Sequence, residues 1–269
     1  RFGFVSFENK DVSDHRYERR GLLHSVVSVP GWRRNLHCVC VHLSLHELRE
    51  GLTGLAPDIV FLQEVQGLNQ RFALRFAGCP IDPQHAFLAG EDWEHAYGCN
   101  AVYDHGHHGN AILSRFGFVS FENEDVSDHR YERRGLLHSV VSVPGWRRNL
   151  HCVCVHLSLH ERGRSRQLEA ISGRLEELAS RDLPIIVAGD FNDWRHRANS
   201  ILERRLGMTE VLVAHYGRPV ATYPSKLPLL KLDRIYVRGF NVTAAQVHRG
   251  KPWSMLSDHL AVSADLERA

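Results

Sequence analysis

Long apolar runs are missing from this chain. No stretch approaches the roughly 18 residues that a membrane-spanning helix needs, and no secretory leader is visible. The chain opens on Arg1 rather than Met, so its true start is expected to be missing or altered. An excess of one charge is also lacking. Lys and Arg number 33 against 31 Asp and Glu, a net charge of +2, which gives no strong global pull toward nucleic acid or an anionic membrane. No Gly-x-Gly-x-x-Gly follows a strand-like run, which removes a dinucleotide-binding reading. Cysteine is sparse. Four of the six fall in Cys38-Val39-Cys40 and Cys152-Val153-Cys154, inside apolar runs. In a strand such pairs share one face and act as small apolar residues. They make poor zinc geometry, and they read as reduced thiols of a cytoplasmic protein.

What is present is enough for one large α/β domain, with 43% hydrophobic and 24% charged residues over 269 positions. Residues 1–47 recur at 115–161, and within them only Lys10 against Glu124 differs. Near-identity across loops and core alike is not the product of slow divergence. The first copy reads as a recent duplication or an assembly fault, standing where a different N-terminus once stood.

The organising stretch is Gly189-Asp190-Phe191-Asn192-Asp193-Trp194, which follows the apolar run Leu183–Ala188. Such a run predicts a buried strand, and the carboxyl edge of α/β strands is where ligands sit. The rival reading is that Asp190 and Asn192 cap a helix over Trp194–Leu206. A weaker internal repeat relates the two halves. Each reads strand, helix, Pro-initiated strand, then an acid at the strand end, which offers Glu64 and Asp190 at equivalent edges. Leu168, Ile171, Leu175 and Leu178 show helical spacing over Gln167–Leu178. Residues 67–98 read as loop-rich, Asn100–Tyr103 as a short strand, Asp104–Asn110 as a polar loop, and Ala111–Ser114 as strand. Leu136–Val143 and Asn149–Leu157 read as a hairpin around Pro144–Arg148. Lys231–Val237 and Ser257–Ala264 read as strands with a charged end.

Collected at strand ends are Glu64, Asn110, His156, Asp190, Asn192, Asp233, Asp258 and His259. So many carboxylates in one place repel unless a cation neutralises them. Oxygen ligands of this kind suit Mg²⁺ or Mn²⁺. Imidazoles and an amide supply the proton transfer and charge stabilisation that phosphate-ester cleavage needs. His107, His108, His160 and His196 read as bystanders, and Arg162, Arg164 and Arg166 as a solvated helix start.

The ordered segments Gln63-Glu64, Gly109-Asn110-Ala111-Ile112-Leu113-Ser114, His156-Leu157, Gly189-Asp190-Phe191-Asn192, Leu232-Asp233-Arg234-Ile235-Tyr236 and Ser257-Asp258-His259 resemble the motifs of the endonuclease/exonuclease/phosphatase superfamily over about residues 47–269. That superfamily includes deoxyribonucleases, AP endonucleases, neutral sphingomyelinases and inositol-polyphosphate phosphatases. The resemblance implies a single-domain four-layer sandwich: two mixed β-sheets face to face, helices outside, the site at one edge. It implies a metal-dependent hydrolase of phosphodiesters, carried by nucleic acid or by a phospholipid headgroup, and a monomer is expected. It gives Glu64 and Asp258 as metal ligands and Asp190 as the group that activates water. Asn192 would donate to the phosphoryl oxygen, Asp233 would orient His259, and His156 and His259 would face the phosphate. Asn110 would contact substrate. Where the family's first strand carries an Asn, this chain has Val41-His42-Leu43, so His42 stands at that position and a weakened metal site is expected, with an inactive binding protein of the same fold as the alternative reading. Arg195, Arg197, Lys226, Lys231 and Trp253 are the candidates for contacts to a polymer. The apolar segments Pro228–Leu230 and Pro252–Leu256 would suit a lipid headgroup or are plain loop packing.

Overall fold

Alternation along Leu150–His156 sets the frame. In this strand Cys152 and Cys154 face one buried cluster and Val153 and Val155 another. A strand covered on both faces belongs in the middle of a layered α/β structure. The same split holds in Ile185–Asp190, with Ile186 and Ala188 on one side and Ile185 and Val187 on the other. The computed structural model describes residues 23–28, 45–69, 82–129 and 132–269. In chain order its elements are β1 (Leu23–Ser28), α1 (Leu45–Leu55), β2 (Ile59–Asn69), α2 (Gln84–Ala89), β3 (Glu94–Tyr103), β4 (Gly106–Ser114), β5 (Phe118–Asp125), β6 (Gly135–Val141), β7 (Leu150–His156) and α3 (Glu161–Ser180). There follow β8 (Ile185–Asp190), α4 (Arg197–Leu202), β9 (Thr209–Glu210), α5 (Val211–Tyr216), β10 (Asp233–Arg238), β11 (Phe240–His248), α6 (Trp253–Leu256) and β12 (Ala261–Arg268).

Two six-stranded sheets result, ordered β11-β12-β1-β2-β4-β3 and β5-β6-β7-β8-β10-β9. The first is mixed through the parallel pair β1–β12, the second through β7–β8. Phe61, Leu62 and Leu113 from the first sheet share a core with Cys154, Ala188 and Ile235 from the second, so the sheets stack face to face. Leu168, Ile171, Leu175 and Leu178 of α3 cover the outer face of the second sheet on Val153, Val155 and Val187. Each such side chain contributes about 1.5–3 kcal/mol when fully buried. Leu48 and Leu52 of α1 and Leu88 of α2 join the core on the first sheet's side. The fold is the layered α/β sandwich expected. No helix among the described residues is long and apolar enough to cross a membrane.

Several boundaries differ from those expected. Asp104–Asn110 is not a loop: the chain turns at Asp104-His105, and β4 begins at Gly106, paired with β2 on one side and β3 on the other. Its glycines and histidines carry no strand signal of their own; two neighbouring strands impose the conformation. Of residues 67–98, expected to be loop-rich, 67–69 end β2 and 82–98 hold α2 and the start of β3, while 70–81 lie outside the described residues. The helix expected over Trp194–Leu206 shrinks to α4. His196 takes a left-handed φ of 58°, and Asp193 Oδ2 accepts from Ala198 N at 2.7 Å, so the helix starts only there. The terminal strand starts at Ala261 rather than Ser257. The slot between β2 and β12 is filled by β1. Val41, His42 and Leu43 lie outside the described residues.

Candidate functional site

The register of the second sheet aligns three polar residues. His156 is the parallel neighbour of Asp190, and Asp190 is the antiparallel neighbour of Asp233. They form one rung across β7, β8 and β10. Two residues inward the same positions are Cys154, Ala188 and Ile235, all in the inter-sheet core. With a side-chain period of two, His156, Asp190 and Asp233 continue that inner face beyond the core to the mouth between the sheets. All three are buried.

The first sheet supplies the facing groups. Glu64 is not at a strand end, as the repeat implied, but within β2. The register slips between Leu62 and Val65, and Glu64 adopts a φ of 56°. Such a bulge re-aims a side chain, and here it puts Glu64 Oε1 3.8 Å from His156 Nδ1, with the acid's side chain 35% exposed. His156 Nε2 lies 3.5 Å from Asp190 Oδ2 on its other side. Just before β12, His259 Nδ1 meets Asp233 Oδ2 at 2.9 Å, and its backbone N–H donates to Ser257 Oγ at 2.7 Å. The Tyr223 ring lies against the His259 imidazole, centroids 4.5 Å apart. Asp258 is half-buried beside it.

The amides are committed inward. Asn192 Nδ2 donates to Asp190 Oδ2 at 2.9 Å and to Leu157 O at 3.0 Å, and its backbone N–H donates to Asp190 Oδ1 at 2.8 Å. In this geometry Asn192 orients Asp190 and has no side-chain N–H left to face outward. Asn110 is fully buried. Its Nδ2 donates across the sandwich to Gly135 O at 2.9 Å and Cys154 O at 3.3 Å, while its Oδ1 has no hydrogen-bond partner. Asn110 therefore ties the two sheets together at the floor of the site.

Burial pushes the Asp190 carboxyl up to about 7, with the His259 charge opposing and Asp233 reinforcing. Burial pulls the His259 imidazole down, but the charge and hydrogen bond of Asp233, with help from Asp190 and Asp258, outweigh it and hold the group up at about 9. Burial, then the charges of Arg134, His259 and His108, keep His156 neutral, well below the ordinary histidine range. A base poised near neutrality, a charged imidazole and a neutral one thus share one cleft.

Two groups here carry no local sequence signal. Arg134, directly before β6, donates from Nε to Leu157 O at 3.3 Å, the carbonyl Asn192 also uses, and its charge reaches both Asp190 and His156. His108 lies on β4 within electrostatic reach of Arg134 and His156, so it is not a remote loop residue. Arg164 is not solvated: it is buried under the Trp194 ring, 4.5 Å from its centroid, and donates to Ser158 O and Leu159 O. Arg195 and Arg197 both pair with Glu161, which occupies two of the cations considered for a polymer.

Compared with known proteins, residues 35–259 match the Endonuclease/Exonuclease/phosphatase family. The chain is 42% identical over 223 residues to the uncharacterized protein YbhP of Escherichia coli (strain K12), covering 82% of this chain and 88% of that one. Its fold is similar to the crystal structure of an endonuclease/exonuclease/phosphatase from Beutenbergia cavernae, with a TM-score of 0.65, 21% identity, and coverage of 93% of this chain and 72% of that one. It is also similar to the human Nocturnin catalytic domain with bound sulfate anion, with a TM-score of 0.64, 19% identity, and coverage of 84% and 86%.

Proposed function

Because the chain belongs to the endonuclease/exonuclease/phosphatase family, we propose that it is a divalent-metal-dependent hydrolase that cleaves a phosphodiester by in-line attack of an activated water. The observation that carries this reading is the rung His156–Asp190–Asp233, set against Glu64 and His259 at the mouth between two sheets.

The donor chemistry fits a hard cation. Carboxylate oxygens dominate the cleft, and Asp233 Oδ1 is buried there without a hydrogen-bond partner. Among the described residues no three His, Cys, Asp or Glu side chains close into a cage, and Mg²⁺ does not need one: it is commonly held by one or two carboxylates, water and substrate phosphate. Glu64 and Asp258 would hold Mg²⁺ or Mn²⁺. When bound, the ion polarises the phosphoryl oxygens and offsets the repulsion among the acids.

The remaining work falls to this chain's own side chains. Asp190, poised near neutrality, takes the proton of the attacking water, and Asn192 holds its two oxygens in place. His156 offers a neutral N–H to a phosphoryl or leaving-group oxygen. His259, kept charged by Asp233, faces the negative charge that builds as the bond breaks.

The test is hydrolysis of bis(p-nitrophenyl) phosphate with Mg²⁺. Replacing Asp190 with Asn is expected to lower kcat about 10²–10⁴-fold with the fold intact; an unchanged rate would overturn the assignment. Nuclease-like action is one form of this chemistry. A phospholipid headgroup as carrier of the diester is the second, favoured by the exposed leucines of the loop that leaves Tyr223, whose ring lies against His259.

A further inference from the structure

Residues 211–232 and 247–257 carry Arg218, Lys226, Lys231, Arg249 and Lys251 and not one Asp or Glu, in a chain that as a whole holds 33 basic and 31 acidic residues. The acids that close these segments at their C-terminal ends, Asp233 and Asp258, belong to the site, and Glu210, which precedes residue 211, is buried as the cap of α5. Overall charge is near neutral, so the asymmetry is local.

Within these segments Val211, Leu212, Leu232, Val247 and Leu256 join the core, but four other apolar side chains point away from it. Leu227 and Leu229 are 67% and 68% exposed, Leu230 40% and Met255 43%. The loop that carries the leucines is pinned. Leu227 N donates to Pro224 O at 3.1 Å, and Leu229 N and Leu230 N donate to Tyr223 O at 2.7 Å. Ser225 Oγ donates to Ser257 O at 2.5 Å and Ser225 N to Asp258 O at 2.7 Å. These bonds dock the loop against the residues leading into His259, and Ser225 Oγ reaches Ser254 O at 3.2 Å, beside Met255. The result is a hydrogen-bonded protrusion with an aliphatic tip and a cationic border, at the edge of the cleft.

Clustered exposed apolar side chains mark an interaction surface. Aliphatic tips among Lys and Arg are the pattern of segments that lie in a membrane interface. A single-stranded nucleic acid would call for exposed aromatic rings on which bases stack; none of the four exposed tip side chains is aromatic, and Trp253, beside Met255, is half-buried with its ring against His248. We propose that Leu227, Leu229, Leu230 and Met255 insert into the headgroup region of an anionic bilayer, with Lys226, Lys231, Arg249 and Lys251 against its phosphates, so that the cleft at His259 opens toward the membrane. Docking stands apart from the hydrolytic reading; only the corollary that the diester is a lipid headgroup rests on it.

The experiment is cosedimentation of the full chain with vesicles of phosphatidylcholine alone or mixed with phosphatidylglycerol. In parallel, the same proteins are assayed for hydrolysis of bis(p-nitrophenyl) phosphate. Binding is expected only with the anionic lipid. The double change Leu227→Glu, Leu229→Glu should weaken it about tenfold or more. Lys226→Glu with Lys251→Glu should weaken it about fivefold per cation. Both pairs are exposed, so folding and hydrolysis of the soluble diester should not change. Undiminished vesicle binding by the leucine variant overturns the docking surface. So does absence of vesicle binding, or binding to duplex DNA in its place. Leucine-dependent vesicle binding without hydrolysis of any soluble diester would retain the docking and overturn the catalytic reading instead.

Discussion

Asp233 and His259 show how one pair can set both a rate and a stability. Their contact is 2.9 Å, and the imidazole holds its proton up to about 9, above the value near 6.5 of an unfolded chain. Stability from this pair is therefore complete below about 6.5 and is lost as pH rises through about 9. If His259 must be charged to face the phosphate, kcat/KM should fall along the same limb. Asp233→Asn should move that fall toward lower pH and remove the linked stability; a pH profile and denaturant midpoints at two pH values would show both. A variant whose alkaline limb stays put would mean that some other group titrates there. At this scale the sequence was informative where chemistry and local pattern coincide. Asp190 follows an apolar strand run, and His156 and Asp233 close or open similar runs. It was silent on Arg134, which follows Arg130 and Arg133 in an unpatterned basic stretch and gains its place only because Leu157 O lies next to it in space. Arg164 was misread for the same reason: the Trp194 ring that buries it comes from another part of the chain.

Elements deliver these residues only if strand ends are geometrically exact, and β8 shows the constraint. Gly189, directly before Asp190, has a φ of 145°, and a Cβ there would lie 1.9 Å from Val155 O on β7. Neither atom is a side-chain tip that can swing away. Gly189→Ala should therefore cost about 3 kcal/mol or more in urea unfolding and should misplace Asp190, lowering kcat as well. A second element-scale expectation concerns the face of the first sheet under α2. His85 stacks on Tyr97 and lies edge-on to His95, and Tyr97 Oη is 2.9 Å from His107 Nδ1. Burial first, then the neighbouring imidazoles, pull His85 down to about 4. Its folded pKa lies below its unfolded one, so the unfolded chain binds the extra proton and stability falls as pH drops from about 6.5 toward 4. Allowing for solvent screening, the loss is about 1 kcal/mol, and His85→Leu should flatten that part of a plot of urea midpoint against pH. Element types were legible from periodicity, as in α3 and β8, while β4 was not. Its Gly-His-His-Gly-Asn segment becomes strand only because β2 and β3 flank it.

On the scale of the whole molecule, the same six residues serve twice. Leu-His-Ser-Val-Val-Ser forms β1 at 23–28 and recurs at 137–142, mostly within β6. In β6 both partners, β5 and β7, run antiparallel. In β1 one partner is antiparallel β2 and the other parallel β12. A hexapeptide that accepts either setting cannot announce its sheet, which is why the repeat was visible in the sequence and its placement was not. The consequence is testable from the backbone alone. Val26 pairs with Val60 on one side and Ser263 on the other, so β1 joins the β11–β12 pair to β2, β4 and β3. Proline at an interior position of a central strand deletes a ladder hydrogen bond that no edge can excuse. Val26→Pro should lower stability by about 3 kcal/mol and speed hydrogen exchange along β2 and β12, which lose their shared neighbour. It should leave protection in β7 and β8 nearer to normal, because the second sheet keeps all its strands. If instead the midpoint and the exchange in β2 are unmoved, the first sheet does not depend on this strand, and the site's Glu64 and His259 are held in place by β2 and β12 without it.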